Sequence, residues 1–190
     1  LAASVVAEGI EAYEAGRYRE ALELYTSALA MPAGDQFRVH NGIYLANWKL
    51  GRQRQAEAAF TKVVDHGLKH QRLAVKFLFR PGSTAFMADA ALSSSYPTWL
   101  KTIALRTGDS GKCLEISGDT GPTGPEPLNE RLSLIRAEHI KSRLAQTSPG
   151  LDKRMIAHGV GSKQTMVGNG RDDASDALDR RVEFKVIGCG

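Results

Sequence analysis

At Leu73 the apolar pattern of this chain changes its period, and that change decides which segments can share a core. Val75, Phe77 and Phe79 alternate with Ala74, Lys76 and Leu78, the period of two that places successive side chains on opposite faces of a strand. Arg80-Pro81-Gly82-Ser83 follows as a turn. Upstream of Leu73 the apolar residues recur at helical spacing. The chain therefore reads as a helical part, 1–67, a short connection, 68–72, and a mixed part, 73–190. With 190 residues, of which 42% are hydrophobic, it has enough apolar surface for two cores.

The helical part repeats itself. A shift of 35 positions lays Gly16-Arg17 on Gly51-Arg52, Ala21 on Ala56 and Tyr25 on Phe60. In each copy a glycine ends one helix, a small alanine stands where two helices approach closely, and an aromatic four residues later fills the groove on the same face. The copies run from Val5 to Met31 and from Val39 to Gly67, and they resemble tetratricopeptide repeats, whose period is ~34 residues. Gly9, Ala21, Tyr25 and Ala28 follow that pattern. The second copy departs from it with Tyr44 at the small position and Val63 where alanine is usual. The resemblance implies a surface for a protein partner.

Gly67 is expected to stop the last of these helices, with Lys69, His70, Gln71 and Arg72 in the connection. His66 and His70 are four apart, a spacing that holds zinc on a continuous helix. With Gly67 between them, they are read as a solvated helix end and no metal site is assigned.

In the mixed part, Pro97 marks the start of a helix carrying Trp99, Leu100, Ile103 and Ala104. Cys113 to Ser117 reads as a second strand that ends in the Gly/Pro-rich segment 118–125. A helix follows, with Leu128, Leu132, Ile135, Ile140 and Leu144 as its apolar stripe. Met155 to Val160 and Arg181 to Ile187 supply two more strands. The order strand, helix, strand, helix, strand, strand predicts an α+β fold with helices packed on a mixed sheet.

Composition narrows the function. Lys and Arg number 25 against 21 Asp and Glu, a net charge of +4, without the dense basic tract of a nucleic-acid binder. No segment approaches the ~18–20 apolar residues of a membrane-spanning helix. The chain begins at Leu1, as expected of a mature form or an excised fragment. There is no nucleophile elbow, phosphate loop or Cys–His pair in a recognisable context, and Gly159-Val160-Gly161 lacks the third glycine of a dinucleotide fingerprint. His139 and His158 have no partner at the level of sequence. A non-catalytic protein without a cofactor is expected. Cys113 and Cys189 fit neither a redox motif nor a metal knuckle, which leaves one disulfide or two buried thiols.

Three motifs stand in order along the mixed part. They are Gly118-Asp119-Thr120-Gly121-Pro122-Thr123-Gly124, then Asn129-Glu130-Arg131-Leu132-Ser133-Leu134-Ile135-Arg136-Ala137, and then Gly159-Val160-Gly161 with Arg180-Arg181-Val182-Glu183-Phe184. Together they resemble the OmpA C-terminal-like family, in which a Gly-His-Thr-Asp loop precedes Asn-x-x-Leu-Ser-x-x-Arg-Ala and Asn-Arg-Arg-Val-Glu opens the last strand. The resemblance covers residues 73–189. It implies a βαβαββ domain that tethers bacterial envelope proteins to peptidoglycan. It also implies a disulfide between Cys113 and Cys189, an oxidising compartment, and a place in the periplasm or at the outer membrane of a Gram-negative cell.

Members of that family hold the diaminopimelate residue of the stem peptide with a loop Asp, the helix Arg and backbone groups at the helix start. A guanidinium suits the ligand carboxylate because it donates two parallel hydrogen bonds. Carried over by position, Arg136, Asn129 and Thr120 form the carboxylate side of the pocket, with Arg180 and Arg181 at its rim. Gly121 stands at the family Asp, Asp119 at the family His, and Asp179 at the family Asn. Losing the carboxylate at Gly121 removes a charge-assisted contact worth about 1.5–3 kcal/mol, unless Asp119 reaches the same ammonium. The alternative is a scaffold for envelope assembly or secretion that has lost wall binding through Gly121. Asp172, Asp173, Asp176 and Asp179, around the polar loop 166–178, are read as partners for nearby arginines and not as an EF-hand.

Overall fold

The computed structural model describes residues 1–122, 124–163 and 180–189, and the chain divides into two compact units, Leu1–His70 and Gln71–Gly190. The first unit is two helical hairpins: α1 (Ala2–Glu14) with α2 (Tyr18–Leu29), and α3 (Phe37–Lys49) with α4 (Gln53–Lys69). Gly16 and Gly51 take φ of 81° and 72° at the two bends, a left-handed conformation that costs glycine nothing. Tyr25 shows why small residues recur here. Its ring lies where a Cβ on Gly9 or Gly42 would approach within 2.9 Å and 2.6 Å, so α1 and α3 both close on it. Val6, Ala12, Ala21, Tyr25, Ala28 and Val39 form the surrounding core.

Gly67 does not stop the helix. α4 continues to Lys69, so the first two residues of the expected connection are helical. A glycine inside a helix costs only about 1 kcal/mol relative to alanine. The burial of Val63, Val64 and Leu68 on the same helix outweighs it.

The second unit is an α+β layer structure. Its sheet has the order β1 (Phe77–Leu78), β4 (Arg181–Ile187), β2 (Cys113–Gly118), β3 (Met155–Gly159), with β2 and β3 parallel and the other neighbours antiparallel. The alternating residues Leu73, Val75, Phe77 and Phe79 are all buried, although only Phe77 and Leu78 join the ladder, opposite Val182 and Arg181. After the short α5 (Ala90–Ser93), α6 (Tyr96–Ser110) starts with Pro97 in its first turn and ends at Gly111 with φ 72°. The Arg154 guanidinium then donates to the carbonyls of Thr107, Gly108 and Lys112 at that end. Cys113 and Cys189 form a disulfide that ties the start of β2 to the segment after β4.

The long helix α7 (Glu126–Thr147) packs on β2 and β3 through only part of the expected stripe, with Ile140 and Leu144 buried. Leu128 is 61% exposed and Ile135 41% exposed. The buried face is Asn129, Ser133, Arg136, Ala137, Ile140 and Leu144, polar in its first half. The cause is a close approach: a Cβ on Gly118 would sit 1.8 Å from the Ser133 carbonyl oxygen, and one on Gly159 would sit 2.5 Å from backbone atoms of Glu130 and Leu134. Backbone packed this tightly against backbone leaves no room for a leucine at Ser133.

His139, on α7, lies edge-on to Phe86, with Arg143 one turn further along. Burial first, then the Arg143 charge, lowers its pKa from the usual histidine value near 6.5. The unfolded chain therefore takes up this proton before the folded one does. The stability that follows from a neutral His139 is present above about pH 6.5 and is lost as the pH falls below it. Melting curves across this range are expected to fall less steeply with acid in His139→Gln than in the wild type.

Candidate functional site

The segment after β2 is fixed by backbone bonds to the start of β4 and to the residues just after β3. Asp119 N–H donates to the Arg181 carbonyl at 2.8 Å, Thr120 N–H to the Gly161 carbonyl at 2.8 Å, and Val160 N–H to the Gly118 carbonyl at 3.0 Å. Gly161 N–H in turn donates to the Ser133 hydroxyl at 2.9 Å. At the start of α7, the Glu126 carboxylate accepts from both the backbone N–H and the hydroxyl of Ser162. Those bonds hold the Glu126 carboxyl below the usual carboxylate range.

Between this segment and the turn after β1 lies a cleft of about 260 Å³, lined by Gly82, Thr120, Gly121, Gly124, Asn129, Leu132, Arg136 and Arg180. Five of the residues singled out in the sequence, Thr120, Gly121, Asn129, Arg136 and Arg180, meet here. Gly82, Gly124 and Leu132 are additions. Gly82 belongs to the Arg80–Ser83 turn, and its place in the cleft is a long-range contact that no local pattern announces.

Arg136 is fully buried. Its Nε donates to the Ser83 carbonyl at 2.9 Å, Nη2 to the Arg80 carbonyl at 2.9 Å and Nη1 to the Asp119 carbonyl at 3.3 Å, while the guanidinium lies 5.3 Å from the Phe79 ring centre. It therefore joins the turn after β1 to the segment after β2 and places positive charge in the cleft wall. Arg180 is 4% exposed and donates from Nε to the Phe79 carbonyl at 3.0 Å. The Asn129 amide reaches toward the Gly124 carbonyl at 3.5 Å. Thr120 is buried, and its hydroxyl has no hydrogen-bond partner among the described residues.

Asp119 and Arg181 are not part of the lining. The Arg181 Nη2 donates to the Asp119 Oδ1 at 3.2 Å, and both side chains are buried. The Asp119 carboxylate is thus paired with Arg181 and is not among the described residues that line the cleft. A pair buried this deeply is costly to break, because removing either partner strands the other charge. Arg181 Nε also approaches the Glu183 carboxylate at 3.5 Å. Asp172, Asp173, Asp176 and Asp179 lie outside the described residues.

The cleft has two guanidinium groups, one hydroxyl with an open valence, one amide and no carboxylate among its described lining residues. That donor set fits an anion with oxygen acceptors, such as a carboxylate.

No family model matches this chain. It is 37% identical over 73 residues to outer membrane protein Omp38 of Acinetobacter baumannii, a match that covers 38% of this chain and 20% of that protein. The chain thus spans about a fifth of the curated relatives it matches. Among solved structures, the peptidoglycan-associated lipoprotein of Burkholderia pseudomallei aligns with a TM-score of 0.51 at 24% identity, covering 60% of this chain and 92% of that one. The OmpA-like domain of FopA1 from Francisella tularensis aligns over 59% of this chain and 69% of that one, at 19% identity and a TM-score of 0.43. The α+β fold read from the sequence is the one shared with the peptidoglycan-associated lipoprotein. Among the described residues, no helix is long and apolar enough to cross a membrane.

Proposed function

We propose that the second unit is a non-catalytic module of the bacterial envelope that binds the peptidoglycan stem peptide by a carboxylate group, and that the helical hairpins of the first unit serve as tetratricopeptide-like repeats for a protein partner. The observation that carries this reading is the buried Thr120 hydroxyl, without a partner among the described residues, in a cleft that also presents Arg136 and Arg180. An orphaned buried hydroxyl costs about 1–3 kcal/mol, and a bound carboxylate would relieve that cost while two guanidinium groups offset its charge. The similarity in fold to a peptidoglycan-associated lipoprotein and in sequence to an outer membrane protein supports a place in the periplasm or at the outer membrane.

A second reading competes with it. Among the described residues lining the cleft no carboxylate stands ready for the ligand ammonium, since Gly121 has none and Asp119 pairs with Arg181. This favours a scaffold for envelope assembly or secretion in which wall binding has decayed.

Co-sedimentation with purified peptidoglycan sacculi separates the two, with free diaminopimelate as competitor. On the first reading the wild type sediments, diaminopimelate releases it, and Thr120→Val weakens it. Gly121→Asp restores a charge-assisted contact and tightens binding about tenfold to a hundredfold. A wild type that stays in solution while Gly121→Asp sediments would establish the scaffold.

A further inference from the structure

In the first unit two imidazoles from different helices converge on one carboxylate. His40 stands in the first turn of α3 and His66 in the last turn of α4, and Asp35 lies in the connection that leads into α3. The Asp35 Oδ1 lies 2.6 Å from His40 Nε2 and 3.7 Å from His66 Nε2, and the three candidate ligand atoms all fall within 4.8 Å of one another. The two histidine side chains are only 11% and 13% exposed, whereas Asp35 is 62% exposed, so the cluster is anchored on its inner side and open to solvent on the outer. The His40 and His66 rings are 5.2 Å apart. The His70 ring lies 4.3 Å from that of His66.

We propose that Asp35, His40 and His66 bind a divalent transition metal of the zinc type, with water in the fourth position. Zinc takes imidazole nitrogen and carboxylate oxygen at about 2.0–2.2 Å in a tetrahedron, which sets neighbouring ligand atoms about 3.3–3.5 Å apart. The two distances to Asp35 Oδ1, 2.6 Å and 3.7 Å, bracket that value, and rotation of the exposed Asp35 side chain by under ~1 Å would bring both to it. Both histidines present Nε2, the outer ring nitrogen, to the same oxygen. A hydrogen bond alone would need only one of them, and His66 Nε2 also lies 3.3 Å from the Asp35 backbone carbonyl. The two imidazoles suit zinc, nickel or copper, and a single carboxylate is a poor substitute for the oxygen cage of calcium or magnesium. Bound metal would clamp the connection between α2 and α3 to the end of α4. This site is independent of the cleft in the second unit, and its failure would leave the reading of that cleft untouched.

The test is calorimetric titration of the untagged full chain, stripped with chelator, with zinc chloride, beside magnesium chloride. The proposal expects one zinc per chain, no magnesium binding, and a melting temperature that rises with zinc. His40→Ala and His66→Ala should each lose at least about tenfold in affinity, because even the loss of a supporting contact beyond the metal's own ligands costs tenfold to a hundredfold. Asp35→Asn changes an exposed residue and leaves the helices intact, so it guards against a variant that fails to fold. It too should bind at least about tenfold more weakly. No zinc binding by the wild type would overturn the proposal, as would undiminished binding by a folded Asp35→Asn or by a folded His40→Ala/His66→Ala double variant.

Discussion

Arg136→Ala is expected to destabilise the second unit by roughly 3–5 kcal/mol, visible as a lower urea midpoint. The three carbonyls that accept from Arg136 belong to Arg80 and Ser83, in the turn after β1, and to Asp119, in the segment after β2, two stretches distant in sequence that no helix or strand joins. Truncation removes a charged donor from all three at once; the Asp119 carbonyl is the buried acceptor, and one left without a partner costs about 1–3 kcal/mol, while the Arg80 carbonyl keeps its bond from Ser83 N–H. Water entering the vacated space recovers part of this, which is why the expected loss is smaller than the sum. Arg136→Lys should also be impaired, since a single ammonium cannot replace a planar fork with donors in three directions. Unchanged midpoints in both variants would show that these bonds contribute little. The same geometry bears on the binding assay: a loss of sedimentation in Arg136→Ala is informative only if the variant is folded, and Thr120→Val is the cleaner probe.

Replacing both Cys113 and Cys189 by serine should cost about 4–5 kcal/mol. The bridged positions are 76 apart in sequence, and the chain-entropy estimate for closing a loop of that length falls in this range. Cys113 opens β2 opposite Ile187, and Cys189 follows two residues after that partner, so the bridge sits at the end of an existing ladder. It therefore restrains the unfolded chain over most of the second unit while demanding little of the folded one. Reduction of the wild type with dithiothreitol should lower the urea midpoint by a similar amount. A shift below about 1 kcal/mol in the double variant would mean that the reduced, unfolded chain already retains this contact.

Several features were legible in the sequence because they depend on local geometry. The change of period at Leu73 lies close to the division between the two units, which falls after His70, and the recurrence of Gly16 and Gly51, Ala21 and Ala56, Tyr25 and Phe60 gives two hairpins with like bends and like buried positions. The motifs around Gly118, Asn129 and Arg180 brought five residues to one cleft because they stand at the end of β2, along the first half of α7 and at the start of β4.

Tertiary structure alone decided the rest. The first half of the buried face of α7 could not be read from its apolar stripe, since the backbone of Gly118 and Gly159 presses against Ser133 and turns Leu128 and Ile135 outward, whereas Ile140 and Leu144 are buried as expected. Asp119 looked free to serve a ligand, yet Arg181, 62 residues on in sequence, holds it. His66 looked like a solvated helix end until packing carried α4 past Gly67 and set it beside His40 and Asp35. Periodicity and turn chemistry report what a residue does with its near neighbours. Which charge meets which, and which helix face lies down, depends on contacts between distant segments, and there the free energy of packing overrides local preference.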